Sequence, residues 1–394
     1  MIAVIVQAAH APFHHARFRA ARERGLKDNR ALFRIAVSDT QGDYRWPQRE
    51  SSPEDSHERV LFPGCDYWTL SYRRIRRALY GALDEISPDV VALPGWGFPE
   101  TLAGLGWCIR RGRQRVVISD SQAIDSAQTQ SKLLLKRLIV SRFHAGFAGG
   151  QPHVRYLSRL GLAPERCFVG CDVVDNDFFD GESQKLRAQQ RRQGKERESE
   201  LRLLSCLRLL PRKNIAGVLD VMKDVDGWTW TIAGEGPQLK EIERRVEALQ
   251  LTERVRLVGH VDYNELPRVY SEADVYLQPS LTEPWGLAVN EAMACALPVL
   301  VSNACGCRED LVKEGVNGYT FDPASPESLK SALRLLLENR ERLDAMGQAS
   351  RRIISGWGLD LFAQNFWRAC DAALLARAAG RRERVINRAL GFPL

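Results

Sequence analysis

Gln278-Pro-Ser-Leu-Thr-Glu-Pro-Trp-Gly-Leu-Ala-Val-Asn-Glu-Ala-Met-Ala-Cys-Ala-Leu-Pro-Val-Leu-Val-Ser302 is the stretch that decides the fold. It reads as the end of a buried strand, a tight loop at Glu283-Pro284-Trp285-Gly286, a helix from about Leu287, then another strand. Pro284 and Gly286 punctuate the loop, while Leu287, Val289 and Ala292-Met-Ala294 supply helix formers and an apolar face. Strand, loop, helix and strand in that order make a parallel α/β sheet, whose ligands bind at the carboxyl ends of the strands. Two carboxylates, Glu283 on the loop and Glu291 in the helix's second turn, have E-x7-E spacing, which lets both face that crevice. First-turn N–H groups at Gly286 and Leu287 suit a phosphate. Taken alone, the spacing is equally well explained by acidic residues satisfying a helix dipole.

Working upstream, Leu201–Leu207 is a strand followed by Arg208-Leu-Leu-Pro-Arg-Lys213-Asn. Thr229–Ala233 is a second strand, running into Gly234-Glu-Gly-Pro237 and a charged helix to Leu249. A third strand starts at Val255 and ends on Gly259-His260. Downstream, Val316-Asn-Gly-Tyr-Thr-Phe321 is a strand and the remaining chain is helical.

Together these motifs resemble the signature of the retaining GT-B glycosyltransferases of family 4, the glycosyl transferases group 1. Glu283, Pro284, Gly286, Leu287, Glu291, Ala292, Met293, Ala294, Pro298 and Val299 match it; Ala296 stands where the family usually has Gly. The resemblance implies an α/β fold of GT-B architecture, two Rossmann-like domains facing across a cleft. It implies that Glu283 contacts the donor sugar and Glu291 holds the ribose hydroxyls. Arg208 and Lys213 match the family's G-R-L-x-x-x-K-G loop, with Leu207 and Asn214 replacing its glycines. Two cations there stabilise the departing diphosphate, so neither metal nor cofactor is expected. Gly234 falls in the family's G-x-G-P turn, and Gly259 and His260 are expected near the nucleotide base. The match is dense over about 200–325 and loose over 1–180.

The first half opens with the strand Ile2–Val6, the loop Gln7–His15 and a basic helix, Ala16–Arg24. His10, His14 and His15 lie in that loop, either as surface and capping residues or as proton carriers. The strand Asp89–Leu93 ends in Pro94-Gly-Trp-Gly-Phe-Pro99, so Trp96 and Phe98 either stack on an acceptor or pack the next helix. Gln114–Ser119 closes on Asp120, the candidate for the acidic or His residue that many relatives place at a strand end near the reaction centre, with Asp125 as its alternative. Lys132–Arg142 is a basic helix whose apolar face is read as core rather than as lipid contact. Ser183–Glu200, nearly free of apolar residues, reads as a solvated connector. The domains are expected at 1–180 for the acceptor and 200–365 for the nucleotide sugar, with helices over 366–394 crossing back.

The 394 residues suffice for two domains, and 44% hydrophobic with 27% charged residues is globular composition. Nine Cys without zinc spacing read as buried, reduced thiols. No signal peptide and no membrane span is expected, so the enzyme is placed in the cytoplasm. Net charge is +7, and residues 1–170 hold about 25 Lys/Arg against 16 Asp/Glu. That excess suggests peripheral contact with anionic membrane; no nucleic-acid partner is expected. The expected reaction is transfer of a hexose from a nucleotide sugar to a saccharide or lipid-linked acceptor, in polysaccharide or glycolipid synthesis. Two alternatives are a nucleotide-sugar epimerase on the same scaffold and a non-catalytic nucleotide-sugar-binding protein.

Overall fold

The computed structural model describes residues 1–9, 11–40, 57–125, 128–192 and 200–376, so His10 lies outside the described residues. The chain forms two compact units, Met1–Val173 with the segment from Leu359 onward, and Val174–Gly358. It thus changes unit earlier than the boundaries expected at 180 and 365.

The first unit holds a parallel sheet of Ile2–Gln7 (β1), Ala31–Thr40 (β2), Glu58–Asp66 (β3), Val90–Pro94 (β4), Gln114–Ser119 (β5), Ala145–Ala148 (β6) and Cys167–Val169 (β7). Its order is β3-β2-β1-β4-β5-β6-β7. The helices are Pro12–Lys27 (α1), Tyr72–Ile86 (α2), Pro99–Arg111 (α3), Gln130–Val140 (α4) and Gln151–Arg159 (α5). Val90–Leu93 is buried throughout, as expected of a central parallel strand covered on both faces. Ser71 caps α2 by accepting from the Arg74 N–H, and Ile75, Leu79, Ala82 and Leu83 form its buried stripe.

The second unit holds Leu201–Cys206 (β8), Trp228–Ala233 (β9), Val255–Gly259 (β10), Val275–Gln278 (β11), Val299–Ser302 (β12) and Gly318–Phe321 (β13). They pair in parallel in the order β10-β9-β8-β11-β12-β13. The helices are Asn176–Arg192 (α6), Ile215–Met222 (α7), Leu239–Ala248 (α8), Leu266–Ser271 (α9), Leu287–Ala294 (α10), Arg308–Leu311 (α11), Pro326–Glu338 (α12) and Leu343–Ser355 (α13). Alternation along β8 serves both faces. Leu203 joins Trp228, Trp230 and the α7, α8 and α12 side chains, while Leu204 joins Tyr270, Tyr276 and the α10 side chains. Finally, Leu359–Leu375 (α14) returns to the first unit, where it packs on α1 and β5–β7. Its Trp367 indole donates to the Ala21 carbonyl at 2.7 Å, and Phe362 meets Phe147 with ring centroids 5.1 Å apart.

Three elements differ from the sequence reading. Helix α1 begins at Pro12 rather than Ala16, because Pro presets the first-turn φ and the His14 Nδ1 accepts from the Ala11 N–H at 3.0 Å. In α4 only Val140 is buried, and Leu134 and Leu135 are 59% and 56% exposed. Consecutive leucines point about 100° apart on a helix, so one supporting surface cannot take all three of Leu133–Leu135. The connector assigned from Ser183 is helical to Arg192. Phe178 and Phe179 anchor that helix against Tyr263, Ser183 is buried, and the Gln, Lys and Arg residues that look like linker are good helix formers.

Ala296 follows α10 with φ 55, the left-handed conformation for which the family pattern has Gly. Its carbonyl lies so close to α13 that a Cβ on Gly347 would sit 2.1 Å from it, so the conformation is held by packing. Relieving the Cβ clash of a left-handed residue is worth about 1 kcal/mol. Ala296→Gly is therefore expected to stabilise the protein by that amount in urea unfolding; a neutral or destabilising result would mean the position carries no strain.

Candidate active site

In the second sheet the strand order reverses between β8 and β11, and loops leaving neighbouring strands there diverge and open a crevice. The loop after β8 carries Arg208, Arg212 and Lys213; the loop after β11 carries Glu283. Backbone ties the two together, the Leu281 N–H donating to the Arg212 carbonyl at 2.8 Å.

At their meeting point Lys213 Nζ donates to Glu283 Oε2, both side chains being buried. The same oxygen accepts from Gln278 Nε2 at 3.1 Å and Ser280 Oγ at 3.0 Å. Arg212 Nη1 lies 3.5 Å from Glu283 Oε1. A buried ammonium or carboxylate costs several kcal/mol unless paired and hydrogen-bonded, and here both conditions are met.

The Glu283 loop is fixed from below. Gly306 and Cys307 N–H groups donate to the carbonyls of Glu283 and Trp285, each at 3.0 Å. The Trp285 indole donates to Asn290 Oδ1 at 2.9 Å and stacks on Trp357. Gly286 caps α10 with φ 100, and a Cβ there would stand 3.5 Å from both Cys307 Sγ and Glu283 Cγ. Gly286 and Leu287 open α10, where the Val289 N–H already donates to the Gly286 carbonyl at 2.9 Å and the N–H groups before it are the ones a helix start leaves without intrahelical partners. Glu291 follows in α10 and is buried, with Tyr270 Oη donating to its Oε2 at 2.7 Å. Burial pushes its carboxyl up to about 7, although the Tyr270 bond acts in the opposite sense.

Gly234 serves the backbone: a Cβ would fall 1.8 Å from the Leu207 carbonyl oxygen. The turn after β9 therefore presses against the loop that carries Arg208, with the Leu209 N–H donating to the Glu235 carbonyl at 2.8 Å. Arg208 is half-buried there, and Asn214 takes the left-handed conformation, φ 59, where the family pattern has Gly. The Gly259 carbonyl accepts from the Gly234 N–H at 2.7 Å. His260 is exposed, with Nε2 3.4 Å from Asp262 Oδ1, and lines a hollow of about 370 Å³ with Asp262, Glu265 and Arg268.

In the first unit Trp96 and Phe98 follow β4, and Asp120 follows β5. Trp96 packs edge-on against Tyr156 at 5.7 Å, with Lys136 Nζ 5.8 Å from its ring centroid. Phe98 is exposed at the N-cap of α3, and Asp120 is exposed just past the carboxyl end of the interior strand β5. Asp125 accepts from the Gln122 N–H at 2.7 Å, a turn-forming bond. His15 Nδ1 lies 2.7 Å from Arg34 Nη2 and 3.7 Å from Glu58. The second unit thus gathers Lys213, Glu283, Gly286, Leu287 and Glu291 along one edge. Arg212, Gln278, Ser280 and Tyr270 belong to that edge and were missed from sequence. Arg212 and the Gln278–Ser280 pair flank recognised motifs, whereas nothing local marks Tyr270.

Comparison with known proteins identifies the family and the fold class. The profile of the family described as "Glycosyl transferases group 1" matches residues 187–353. A GDP-mannose-dependent alpha-(1-6)-phosphatidylinositol monomannoside mannosyltransferase of Mycobacterium tuberculosis is 31% identical over 264 residues, 62% of this chain and 67% of the relative. Its counterpart of the same description in Mycolicibacterium smegmatis is 28% identical over 305 residues, 73% of this chain and 76% of the relative. Among solved structures, Anabaena HepE in complex with UDP superposes with TM-score 0.73 at 17% identity, over 94% of this chain and 100% of that one. The chain belongs to the glycosyl transferases group 1 family. Its two Rossmann-like units are of the GT-B fold class, and its class of activity is glycosyl transfer.

The Glu291 carboxyl gives a pH prediction. With its ordinary value at 4.5 and its folded value near 7, the folded chain holds the proton longer than the unfolded chain. This contribution makes stability fall as pH rises from 4.5 to about 7, after which it stays level. Glu291→Gln removes the fall. The variant is expected to match wild type near pH 4.5 and to exceed it at pH 7.5 by roughly 1–3 kcal/mol in denaturant unfolding. A stability difference that does not change with pH would refute the shifted carboxyl.

Proposed function

We propose that this protein is a retaining family 4 hexosyltransferase that moves a hexose from a nucleotide-activated donor to a hydroxyl of a saccharide or lipid-linked acceptor, in cell-surface polysaccharide or glycolipid synthesis. The observation that carries the proposal is the buried Lys213–Glu283 pair at the point where the second sheet reverses its strand order. As the donor's anomeric bond breaks, negative charge grows on the diphosphate. Arg208, Arg212 and Lys213 supply fixed positive charge beside it, the work a divalent metal does elsewhere, and the reaction is accordingly proposed to be metal-independent. Glu283 accepts from the donor sugar's hydroxyls, and Glu291 from the ribose. Transfer is favoured over epimerisation or binding alone because the relatives named above are described as mannosyltransferases. GDP-activated mannose is for the same reason the first donor to test.

A lipid-linked acceptor is supported by the surface of the first unit. Arg73, Arg74, Arg76 and Arg77 are all exposed on α2, beside Trp68, which is 67% exposed, and Tyr72. Interfacial aromatics with neighbouring cations suit an anionic bilayer surface. Among the described residues no helix is long and apolar enough to cross a membrane. The protein is therefore proposed to work from the cytoplasmic face as a peripheral enzyme.

Arg208→Ala and Lys213→Ala are each expected to lower turnover about 100- to 1,000-fold, measured with GDP-, UDP- and ADP-sugars. Wild-type turnover in both would remove the leaving-group assignment. The anomeric configuration of the product, read by NMR, decides retention. Activity should survive EDTA; complete loss restored by Mg²⁺ or Mn²⁺ would contradict metal independence. Finally, co-sedimentation with anionic vesicles is expected at low salt, to weaken at high salt and to drop in Trp68→Ala. Equal, negligible binding to anionic and neutral vesicles would leave a soluble acceptor.

A further inference from the structure

Two buried tyrosines lie beneath the two glutamates, and the reading of the site given above assigns them no part. Tyr270, on α9, and Tyr276, on β11, have no solvent exposure, and their ring centroids are 5.9 Å apart. Tyr270 Oη donates to Glu291 Oε2 at 2.7 Å. Tyr276 Oη donates to Gln278 Oε1 at 2.7 Å, and Gln278 Nε2 donates to Glu283 Oε2 at 3.1 Å. Each tyrosine therefore controls one glutamate, Tyr270 directly and Tyr276 through the Gln278 amide.

We propose that Tyr270 and Tyr276 are positioning residues that fix Glu291 and Glu283, so that both carboxylates engage a single nucleotide sugar. The proposal rests on the donor-binding reading of the two glutamates and goes beyond it. Glu291 has one oxygen held by Tyr270, which leaves Oε1 to accept from a ligand hydroxyl. A carboxylate without that anchor samples other rotamers and meets a ribose diol less often. For Glu283 the logic concerns orientation. With its oxygen occupied by Tyr276, the Gln278 amide can present only its N–H₂ to Glu283 and to Ser280 Oγ, 2.9 Å away. Without the Tyr276 hydroxyl the amide oxygen loses that partner, and the amide holds the carboxylate less firmly.

The test compares GDP, UDP and ADP with their 2′,3′-dideoxy counterparts by calorimetry. Wild type is expected to prefer the ribose form of its best nucleotide about 10- to 100-fold, the usual worth of hydrogen bonds to a charged group. Glu291→Gln and Tyr270→Phe should each bring that ratio to within a few-fold of one while leaving dideoxy affinity unchanged, which also reports that the fold is intact. A merely structural Tyr270 would weaken both forms alike. Tyr276→Phe should keep the ribose preference but lower the affinity of the sugar nucleotide relative to the free diphosphate, as Glu283→Gln does. If Glu291→Gln and Glu283→Gln change these ratios and the tyrosine variants do not, the positioning role is overturned and the donor-site reading stands. If the glutamate variants themselves leave the ratios unchanged, that reading fails and takes the positioning role with it. Should Tyr270→Phe not fold, the Tyr276→Phe ratio decides alone, a wild-type value overturning the proposal.

Discussion

A lysine and a glutamate buried against each other impose most of the local design of the second unit. Lys213 and Glu283 belong to loops that leave adjacent strands, β8 and β11, on either side of the point where the sheet order reverses. Bringing two charges out of water is favourable only when each finds a partner and the remaining lone pairs are satisfied. Gln278, Ser280 and Arg212 provide those extra bonds, and the Leu281–Arg212 backbone bond joins the loops. Trp285 fills the space beneath, so the Glu283 loop has one conformation rather than several. The site's precision thus comes from packing below it.

Glycine substitution tells the same story from the backbone side. Gly234 is required because the Leu207 carbonyl occupies the space its Cβ would take. Asn214 and Ala296 replace glycines of the family pattern yet keep positive φ, at 59 and 55. Asn tolerates this region through its short polar side chain, whereas Ala enters it only under tertiary constraint. At these two positions the fold holds a left-handed conformation without a glycine to make it easy.

Much of this edge was legible in the sequence because its chemistry is local. Glu283, Gly286, Leu287 and Glu291 fall within one loop and the helix it opens, and their spacing survives folding unchanged. Tyr270 was invisible because its partner is 21 residues away and nothing in Leu266–Ser271 marks a site. Helix α4 misled for a related reason: Lys-Leu-Leu-Leu-Lys has the composition of a core helix, but the angular spread of its leucines leaves two in solvent. At α6 the reverse holds: the polar run has the composition of a linker, but Phe178 and Phe179, just upstream, fix the helix. Sequence reading succeeded where contacts are near in the chain and failed where a distant surface decides burial.

The ion pair also bears on how such a site works before any donor arrives. A catalytic cation must be in place when charge develops, since reorganising it during the reaction would consume the stabilisation it offers. An ammonium alone in a buried site would swing toward water. Glu283 holds the Lys213 ammonium at the crevice edge, and the three other contacts hold Glu283 in turn. The pair's desolvation is settled at folding and need not be met again at each turnover. On the donor-site reading proposed above, a diphosphate entering beside it meets a cation already stripped of water and already aimed. On that reading the arrangement supplies fixed positive charge at the cost of a scaffold that must keep its loops rigid.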